Sequence, residues 1–173
     1  MPKDASSLYD IVYTSGTFDL FHRNHLALLQ RAKKLCNTLI VGVNTDELVK
    51  TYKNVPTIPF DERLAIVEAL DLVDMAIPQN TLDHTTTMTK LNADCFVVGD
   101  DWYPKYDYLK GMGFDVIYLP YGAGVSSSSL KQEIAESFID MVQQNVASSN
   151  PDPRPALANV NSPASDAALS KLA

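Results

Sequence analysis

Two histidines, His22 and His25, lie three residues apart at the start of a segment whose apolar residues follow a helical period. A β-branched and aromatic run, residues 11–13, precedes them, and Gly16 stands in the turn between. Side chains three residues apart share one face of a helix, beside the backbone N–H groups of the first turn that have no intrahelical acceptor. These groups and the helix dipole attract anions. The spacing therefore predicts an anion site; the alternative is that the pair only caps and packs the helix.

Further cations and hydroxyl groups lie in two other predicted loops. Lys50 and Lys53 follow a buried run at residues 38–43, and a serine run at residues 126–129 precedes a helix with an apolar stripe. Lysine carries a compact positive charge, and a hydroxyl-rich helix start binds phosphate. None of these groups has to be a nucleophile. Together with the histidines they favour nucleotidyl transfer, in which an anionic phosphate oxygen attacks and the barrier falls through positioning and charge stabilisation.

Each of these loop residues also has a structural interpretation. The lysines are solvated charges in that interpretation, and Ser129 with Gln132 has the spacing of a capping box. Asp100 and Asp101, after a buried run at residues 95–98, either cap the following turn or hold Mg²⁺ or a substrate hydroxyl.

Two large side chains are similarly open to two interpretations. Trp102 either anchors the core or covers a pocket. Arg63 is either a salt-bridge partner or a phosphate ligand. We assign no role to His84.

The order of the elements predicts how these loops meet. Five buried runs read as strands: residues 11–13, 38–43, 73–77, 95–98 and 116–119. Helical segments separate them, so we predict an α/β, Rossmann-like doubly wound, mostly parallel five-stranded sheet flanked by helices. Ligands bind beyond the carboxyl ends of such strands. The loops that follow the strands should therefore open on one shared pocket.

Composition limits the function classes. The chain has 173 residues, 46% of them hydrophobic, and a formal net charge of −7, which argues against general affinity for nucleic acid or acidic lipid. No apolar run reaches transmembrane length and the first residues lack the apolar core of a signal peptide, so we expect a cytoplasmic protein without membrane contact. We divide the chain into an N-terminal extension (1–9), a nucleotidyltransferase domain (10–146) and a Pro/Ala/Ser/Asn-rich tail (147–173) that we expect to be disordered.

The motifs in this order resemble the cytidylyltransferase family of the HxGH nucleotidyltransferase superfamily. The matching blocks are residues 16–22 with His25, 41–47, 61–63, 73–74, 98–102 and 124–128 with Lys131. The block at 98–102 points to the glycerol-phosphate branch. The resemblance implies attack by a phosphorylated small alcohol on CTP with Mg²⁺, giving a CDP-alcohol and pyrophosphate, in a homodimer.

The resemblance also implies residue roles. The catalytic residues are His22, His25 and a lysine of the loop, Lys50 or Lys53. The nucleotide-binding residues are Thr17, Phe18, Asn24, Gly99, Asp100, Tyr121, Ser126, Ser127 and Ser128. The substrate-binding residues are Asp19, Arg63, Asp101 and Trp102. No residue is assigned as a protein ligand of a metal.

Two residues depart from the family pattern. Asn24 stands where the family has glycine between the histidines, and Tyr121 stands where it usually has arginine. An asparagine there either narrows the site or adds a hydrogen bond, and the tyrosine removes a strong phosphate donor. Two alternatives therefore stay open: an adenylyltransferase of the same fold, and a relative that binds nucleotide or a partner without turnover.

Overall fold

A computed structural model describes residues 7–122 and 124–149, the last three by their backbone alone. Strands and helices alternate along this part of the chain. The strands are β1 (Tyr9–Gly16), β2 (Cys36–Asn44), β3 (Met75–Gln79), β4 (Cys95–Gly99) and β5 (Asp115–Leu119). The α-helices are α1 (Arg23–Lys33), α2 (Asp46–Lys50), α3 (Phe60–Glu68), α4 (Thr85–Leu91) and α5 (Ser127–Ser149). Two short 3₁₀ helices, Asp100–Trp102 and Asp107–Met112, follow β4.

The five strands form one sheet in the order β3-β2-β1-β4-β5, and every neighbouring pair is parallel. The predicted Rossmann-like sheet is confirmed. The chain starts in the centre at β1, moves outward through β2 and β3, and then crosses back to β4 on the other side of β1. This reversal between β1 and β4 is the switch point at which an open α/β sheet forms a crevice for ligands.

The core lies on both faces of the sheet because successive side chains of a strand point to opposite faces. One face carries Val12 and Val41 and is packed by α1, through Leu29, and by α3, through Val67. The other face carries residues such as Tyr13, Ile40 and Phe96 and is packed by Met88 of α4 and Leu109. Strands covered on both faces explain the nearly continuous apolar runs in the sequence.

The last helix extends beyond the predicted domain boundary. Helix α5 continues to Ser149, whereas the prediction ended the domain at residue 146. The described residues 134–149 belong to a second compact unit, and its large apolar side chains whose burial is described are exposed: Ile134, Phe138, Ile139, Met141, Val142 and Val146. Residues 1–6 of the predicted extension and 150–173 of the predicted tail lie outside the described residues. Within residues 7–122 and 124–149, no helix is both long enough and apolar enough to cross a bilayer.

Gly42 illustrates how closely β2 packs against its neighbour. A Cβ at this position would lie 2.1 Å from the Tyr13 hydroxyl oxygen, which is buried and donates to Gln79 Oε1 at 2.6 Å. We expect Gly42→Ala to lower the free energy of unfolding by about 1–3 kcal/mol, since overpacking must displace the ring. Urea unfolding measures the change. Gly111→Ala is the matched control because nothing lies within 4 Å of its Cβ position, and an equal loss in both variants would contradict the packing argument.

Candidate active site

A cavity of about 240 Å³ opens at the carboxyl ends of the central strands. Ser15 and Gly16 end β1 there, and Asn44 and Gly99 end β2 and β4. The rest of the wall comes from β4, from α1, from the start of α5 and from the segments that follow the strands: Thr17, Phe18, His25, Leu28, Tyr52, Lys53, Leu82, Val98, Asp101, Trp102, Tyr106, Tyr121, Ser126, Ser127 and Ser128. The four loops singled out in the sequence thus contribute to one cavity.

The turn between β1 and α1 has a strained backbone. Phe18 and Leu20 adopt the left-handed conformation, with φ of 55° and 46°. Such a conformation costs a non-glycine residue on the order of 1–3 kcal/mol and persists only where surrounding contacts impose it. Phe18 is 2% exposed and lines the cavity. The turn thus forms part of the cavity wall, and contacts with the rest of the protein must offset its backbone strain.

The two histidines cap α1 and also differ in their access to the cavity. His22 Nδ1 accepts the Asn24 N–H at 3.3 Å, and His25 Nδ1 accepts the His22 N–H at 3.4 Å, which forms a capping box. The rings are stacked with their centroids 3.8 Å apart. His25 lies in the cavity wall, whereas His22 is not among the lining residues and its ring stacks on His25. The Nε2 of His22 is buried without a partner among the described groups. The capping interpretation and the anion-site interpretation therefore apply to the same pair.

The caps fix the protonation state of the rings. Because each Nδ1 accepts a backbone N–H, a neutral ring carries its hydrogen on Nε2. Burial, together with the nearby His22 and Lys53, lowers the pKa of His25 to about 3, although Asp19 opposes the shift. Burial also lowers the pKa of His22. His25 is therefore a neutral Nε2–H donor near pH 7 in the absence of ligand.

The structure distinguishes the two candidate lysines. Lys53 lines the cavity while part of its surface stays exposed, and Lys50 is exposed at the end of α2, away from the cavity wall. Desolvation lowers the pKa of Lys53; Asp19 opposes this shift, and Lys131 adds to it. The alternative of Lys50 as the functional lysine does not fit its position.

The serine run forms the start of α5, although its capping box differs from the predicted one. Ser126 Oγ accepts the Ser129 N–H at 3.1 Å and Ser129 Oγ accepts the Ser126 N–H at 2.9 Å, so the box joins Ser126 to Ser129, not Ser129 to Gln132. Ser127 Oγ donates to Asp19 O at 2.6 Å. The N–H groups of Ser127 and Ser128, in the first turn, have no intrahelical acceptor. No other acceptor for them occurs within residues 7–122 and 124–149, so they are available to an anion in the cavity.

Asp19 holds the turn and does not contact the cavity, which corrects its predicted role in substrate binding. Its side chain is 3% exposed, accepts the N–H groups of Thr57 and Ile58 at 2.9 Å each, and pairs with Lys131 Nζ at 2.7 Å. Burial by itself would raise the pKa of Asp19, but these hydrogen bonds outweigh it and keep the pKa below its ordinary value. Asp19 thereby joins the β1–α1 turn to α5 and to the lysine loop, residues 51–59, which connects α2 to α3 and contains Lys53.

Arg63 is also a structural residue and not a substrate ligand. It is 0% exposed, with Nε donating to Ile58 O at 2.9 Å and Nη2 paired with Asp46 Oδ1 at 2.6 Å. Its Nη1 donates to Thr17 O and to Asn44 O, the latter at 2.9 Å. Of the two interpretations offered for Arg63, the salt-bridge interpretation fits. Its hydrogen bond to Thr17 O is one of the contacts that impose the strained turn.

The residues after β4 and β5 separate into two groups. Asp101, Trp102 and Tyr121 line the cavity, and burial raises the pKa values of both Asp101 and Tyr121. Asp100 is not among the residues that line the cavity, and its Oδ1 accepts the Tyr121 N–H at 2.9 Å; its nucleotide contact stays a prediction. A Cβ at Gly99 would lie 2.4 Å from Asp101 Oδ1, so only glycine allows this carboxylate to fold over the strand end.

Asn24 does not contact the cavity directly either. It is 7% exposed, and its side-chain amide donates to the carbonyls of Gly122 and Val125 at 2.7 and 2.6 Å. It therefore holds the loop that leads into α5, and the predicted contact with the nucleotide is replaced by a contact with this loop.

Eight residues of the wall have no site role predicted from the sequence: Ser15, Gly16, Leu28, Asn44, Tyr52, Leu82, Val98 and Tyr106. Ser15 and Asn44 end strands, so the carboxyl-end rule could have identified them. Tyr52 stands between the two lysines, and its hydroxyl contacts Thr17 Oγ1 at 3.1 Å and accepts from Asn44 Nδ2 at 2.9 Å. Leu82 and Tyr106 carry no local signal and reach the cavity only through the packing of distant segments.

The chain is similar in sequence and in fold to known proteins. A family model described as cytidylyltransferase-like matches residues 13–151. A glycerol-3-phosphate cytidylyltransferase from Bacillus spizizenii is 42% identical over 125 residues, which cover 72% of this chain and 96% of that protein. An FAD synthase from Methanothrix thermoacetophila is 38% identical over 100 residues, 58% of this chain and 69% of that protein. The solved lipopolysaccharide core biosynthesis protein from Thermoplasma volcanium has a TM-score of 0.59 at 25% identity, covering 68% of this chain and 99% of that one.

Removing the buried guanidinium tests the structural role of Arg63. Arg63→Met leaves Asp46 and three backbone carbonyls without their donor, so we expect the free energy of unfolding to fall by about 3 kcal/mol or more. Urea unfolding measures this loss. Lys90→Met, which removes an exposed cation from α4, should change it by less than about 0.5 kcal/mol. A loss for Arg63→Met as small as that of the control would contradict the assignment.

The buried histidines predict a loss of stability in acid. The folded-state pKa values of His25 and His84, about 3 and about 4, lie below the ordinary value of 6.5, so the unfolded chain binds more protons below pH 6.5. We expect each to reduce the free energy of unfolding by up to about 2 kcal/mol between pH 7 and pH 5. His25→Gln and His84→Gln should each flatten this dependence in urea unfolding across that range. Lys90→Gln should leave it unchanged, and unaltered slopes in both histidine variants would exclude the explanation.

Proposed function

Since this chain belongs to the cytidylyltransferase-like family and is a nucleotidyltransferase, we propose that it transfers CMP from CTP to a small phosphorylated alcohol resembling glycerol 3-phosphate. A phosphate oxygen of the alcohol attacks the α-phosphorus, the bond from that phosphorus to the oxygen bridging to the β-phosphate breaks, and pyrophosphate leaves with the bonding electron pair. The observation that carries the proposal is the meeting of His25, Lys53 and the start of α5 in one cavity at the sheet's switch point. The B. spizizenii relative, named a glycerol-3-phosphate cytidylyltransferase, supports the choice of substrates.

The residues of the cavity match the demands of this reaction. The attacking phosphate is already an anion, so the site needs no strong base. The start of α5 offers the Ser127 and Ser128 N–H groups to the leaving phosphates. His25 offers its Nε2–H to the α-phosphate oxygen on which charge develops, and Lys53 adds a positive charge. Catalysis on this proposal comes from positioning and charge stabilisation.

We propose that Mg²⁺ accompanies the nucleotide. No group of three or more His, Cys, Asp or Glu side chains suited to a metal occurs among the residues that the structure describes. Mg²⁺ commonly keeps several waters and binds one or two carboxylates together with substrate phosphates, and Asp101 supplies one carboxylate in the cavity wall. The wall therefore fits a Mg²⁺ ion carried by the nucleotide. When bound, this ion would neutralise phosphate charge.

A second candidate uses ATP in place of CTP. The M. thermoacetophila relative is named an FAD synthase, and FAD contains an adenylyl group, which favours this alternative. Thermal shifts measured side by side with CTP and ATP discriminate between them, because the ligand that binds more tightly at equal concentration stabilises more.

Tyr121 favours a third candidate, a relative that binds nucleotide without turnover. It places a neutral phenol in the cavity wall where the family usually has arginine. If this third candidate is correct, Tyr121→Arg, alone or with Asn24→Gly, should create pyrophosphate-releasing activity that the wild type lacks. The homodimer and the cytoplasmic location stay predictions from the sequence.

Pyrophosphate release tests the proposed reaction. The protein with CTP, Mg²⁺ and sn-glycerol 3-phosphate should release pyrophosphate, and His25→Ala should lower kcat by about 10²–10³-fold, as removal of a transition-state donor does. Lys53→Ala should also lower kcat/KM, whereas Lys50→Ala is the matched control and should stay within about twofold, since an exposed charge away from the cavity contributes little. Circular dichroism of each variant checks folding. If no nucleotide releases pyrophosphate with any phosphoalcohol of a panel, the proposal fails.

A further inference from the structure

The loop between β5 and α5 is fastened to α1 by three side-chain hydrogen bonds. Arg31 Nη1 donates to Pro120 O at 2.9 Å. Asn24 Nδ2 donates to Gly122 O at 2.7 Å and to Val125 O at 2.6 Å. Asn24 is 7% exposed and is separated from these carbonyls by 98 and 101 residues of sequence. The first turn of α1 is thus a support for the segment that leads into the serine run.

The bond to Val125 O fixes the peptide at the start of α5. In a planar trans peptide the C=O and the following N–H point in opposite directions. The C=O of the Val125–Ser126 peptide accepts from Asn24, and its N–H donates to Ser129 Oγ at 2.9 Å. Both ends of this peptide are therefore held, one by α1 and the other by the capping box of α5. The next N–H groups along the chain, those of Ser127 and Ser128 in the cavity wall, belong to a backbone whose orientation is set in this way.

We propose that Asn24 is a positioning residue that holds the β5–α5 loop and the first turn of α5 in the orientation that binds the nucleotide's phosphates. Its amide has two hydrogens and both are donated to the loop, so it acts through the loop and not on the nucleotide. The nature of the ligand rests on the proposed function.

Gly122 provides an internal test of this contact. A Cβ at position 122 would lie 2.5 Å from Asn24 Oδ1 and 3.1 Å from Asn24 Cγ. Gly122→Ala should therefore displace the Asn24 amide and loosen the loop. In an Asn24→Ala background the obstructing atoms are gone, so the same change should add little. Gly111→Ala is the matched control, since nothing lies within 4 Å of its Cβ position.

Hydrogen exchange without nucleotide tests the support of the loop. The peptide that carries Tyr121, Gly122 and Val125 should exchange faster in Asn24→Ala and in Gly122→Ala than in wild type, and at the wild-type rate in Gly111→Ala. Asn24→Asp keeps the shape but offers no donors to the two carbonyls, so its exchange should be at least as fast as that of Asn24→Ala. Wild-type exchange in both Asn24 variants would overturn the proposal.

Nucleotide binding tests the consequence for the site. Asn24→Ala should raise the calorimetric Kd for CTP with Mg²⁺ about tenfold, the effect of losing one or two hydrogen bonds, and should raise KM for CTP with kcat changed by less than about threefold. Gly122→Ala should act similarly alone and add less than about twofold in the Asn24→Ala background, a non-additivity expected of residues in contact. Additive effects, or a loss of kcat at constant KM, would contradict positioning through the loop.

The two proposals fail separately. If wild type binds CTP but releases no pyrophosphate, the proposed transfer fails while the Kd series still decides the role of Asn24. If wild type binds no nucleoside triphosphate, the phosphate part of the role is overturned, and the exchange rates then decide only whether Asn24 supports the loop.

Discussion

The turn between β1 and α1 is the constraint on which the candidate site depends. Phe18 and Leu20 hold left-handed backbone conformations there, which a free chain would not retain. Arg63 donates a hydrogen bond to Thr17 O in this turn. The buried Asp19 carboxylate accepts two backbone N–H groups of the lysine loop and forms an ion pair with Lys131. Asp19 therefore not only stabilises the turn but also holds the lysine loop and the first part of α5 next to the turn.

The interactions that fold this region also prepare its chemistry. The histidine pair satisfies N–H groups at the start of α1, and the same hydrogen bonds place the proton of His25 on the nitrogen that is not used in capping. Burial lowers the pKa of that ring and keeps it neutral near pH 7. At the other side of the cavity, the capping box of Ser126 and Ser129 fixes the first turn of α5 and leaves two further N–H groups for a ligand.

The departures from the family pattern have different physical consequences. Tyr121 places an aromatic ring in the cavity wall, so this wall contains a phenol in a place where the family usually has a cation. Asn24 instead fills the space beside Gly122 and donates both amide hydrogens to the following loop. The first departure changes what the cavity presents to a ligand, and the second changes how its wall is supported.

The sequence by itself determined the alternation of strands and helices, the parallel sheet and the edge at which the site lies. These features follow from local periodicity and from turn residues such as Gly16, which act over a few positions. Only the tertiary structure decided that Lys53 and not Lys50 reaches the cavity, and that Arg63 and Asp19 are structural. Those roles depend on contacts between residues far apart in the chain, such as Arg63 with Thr17 and Asp19 with Lys131. A charged side chain has the same local pattern whether it binds a substrate or a buried carbonyl, because the partner that distinguishes the two cases is brought to it only by folding.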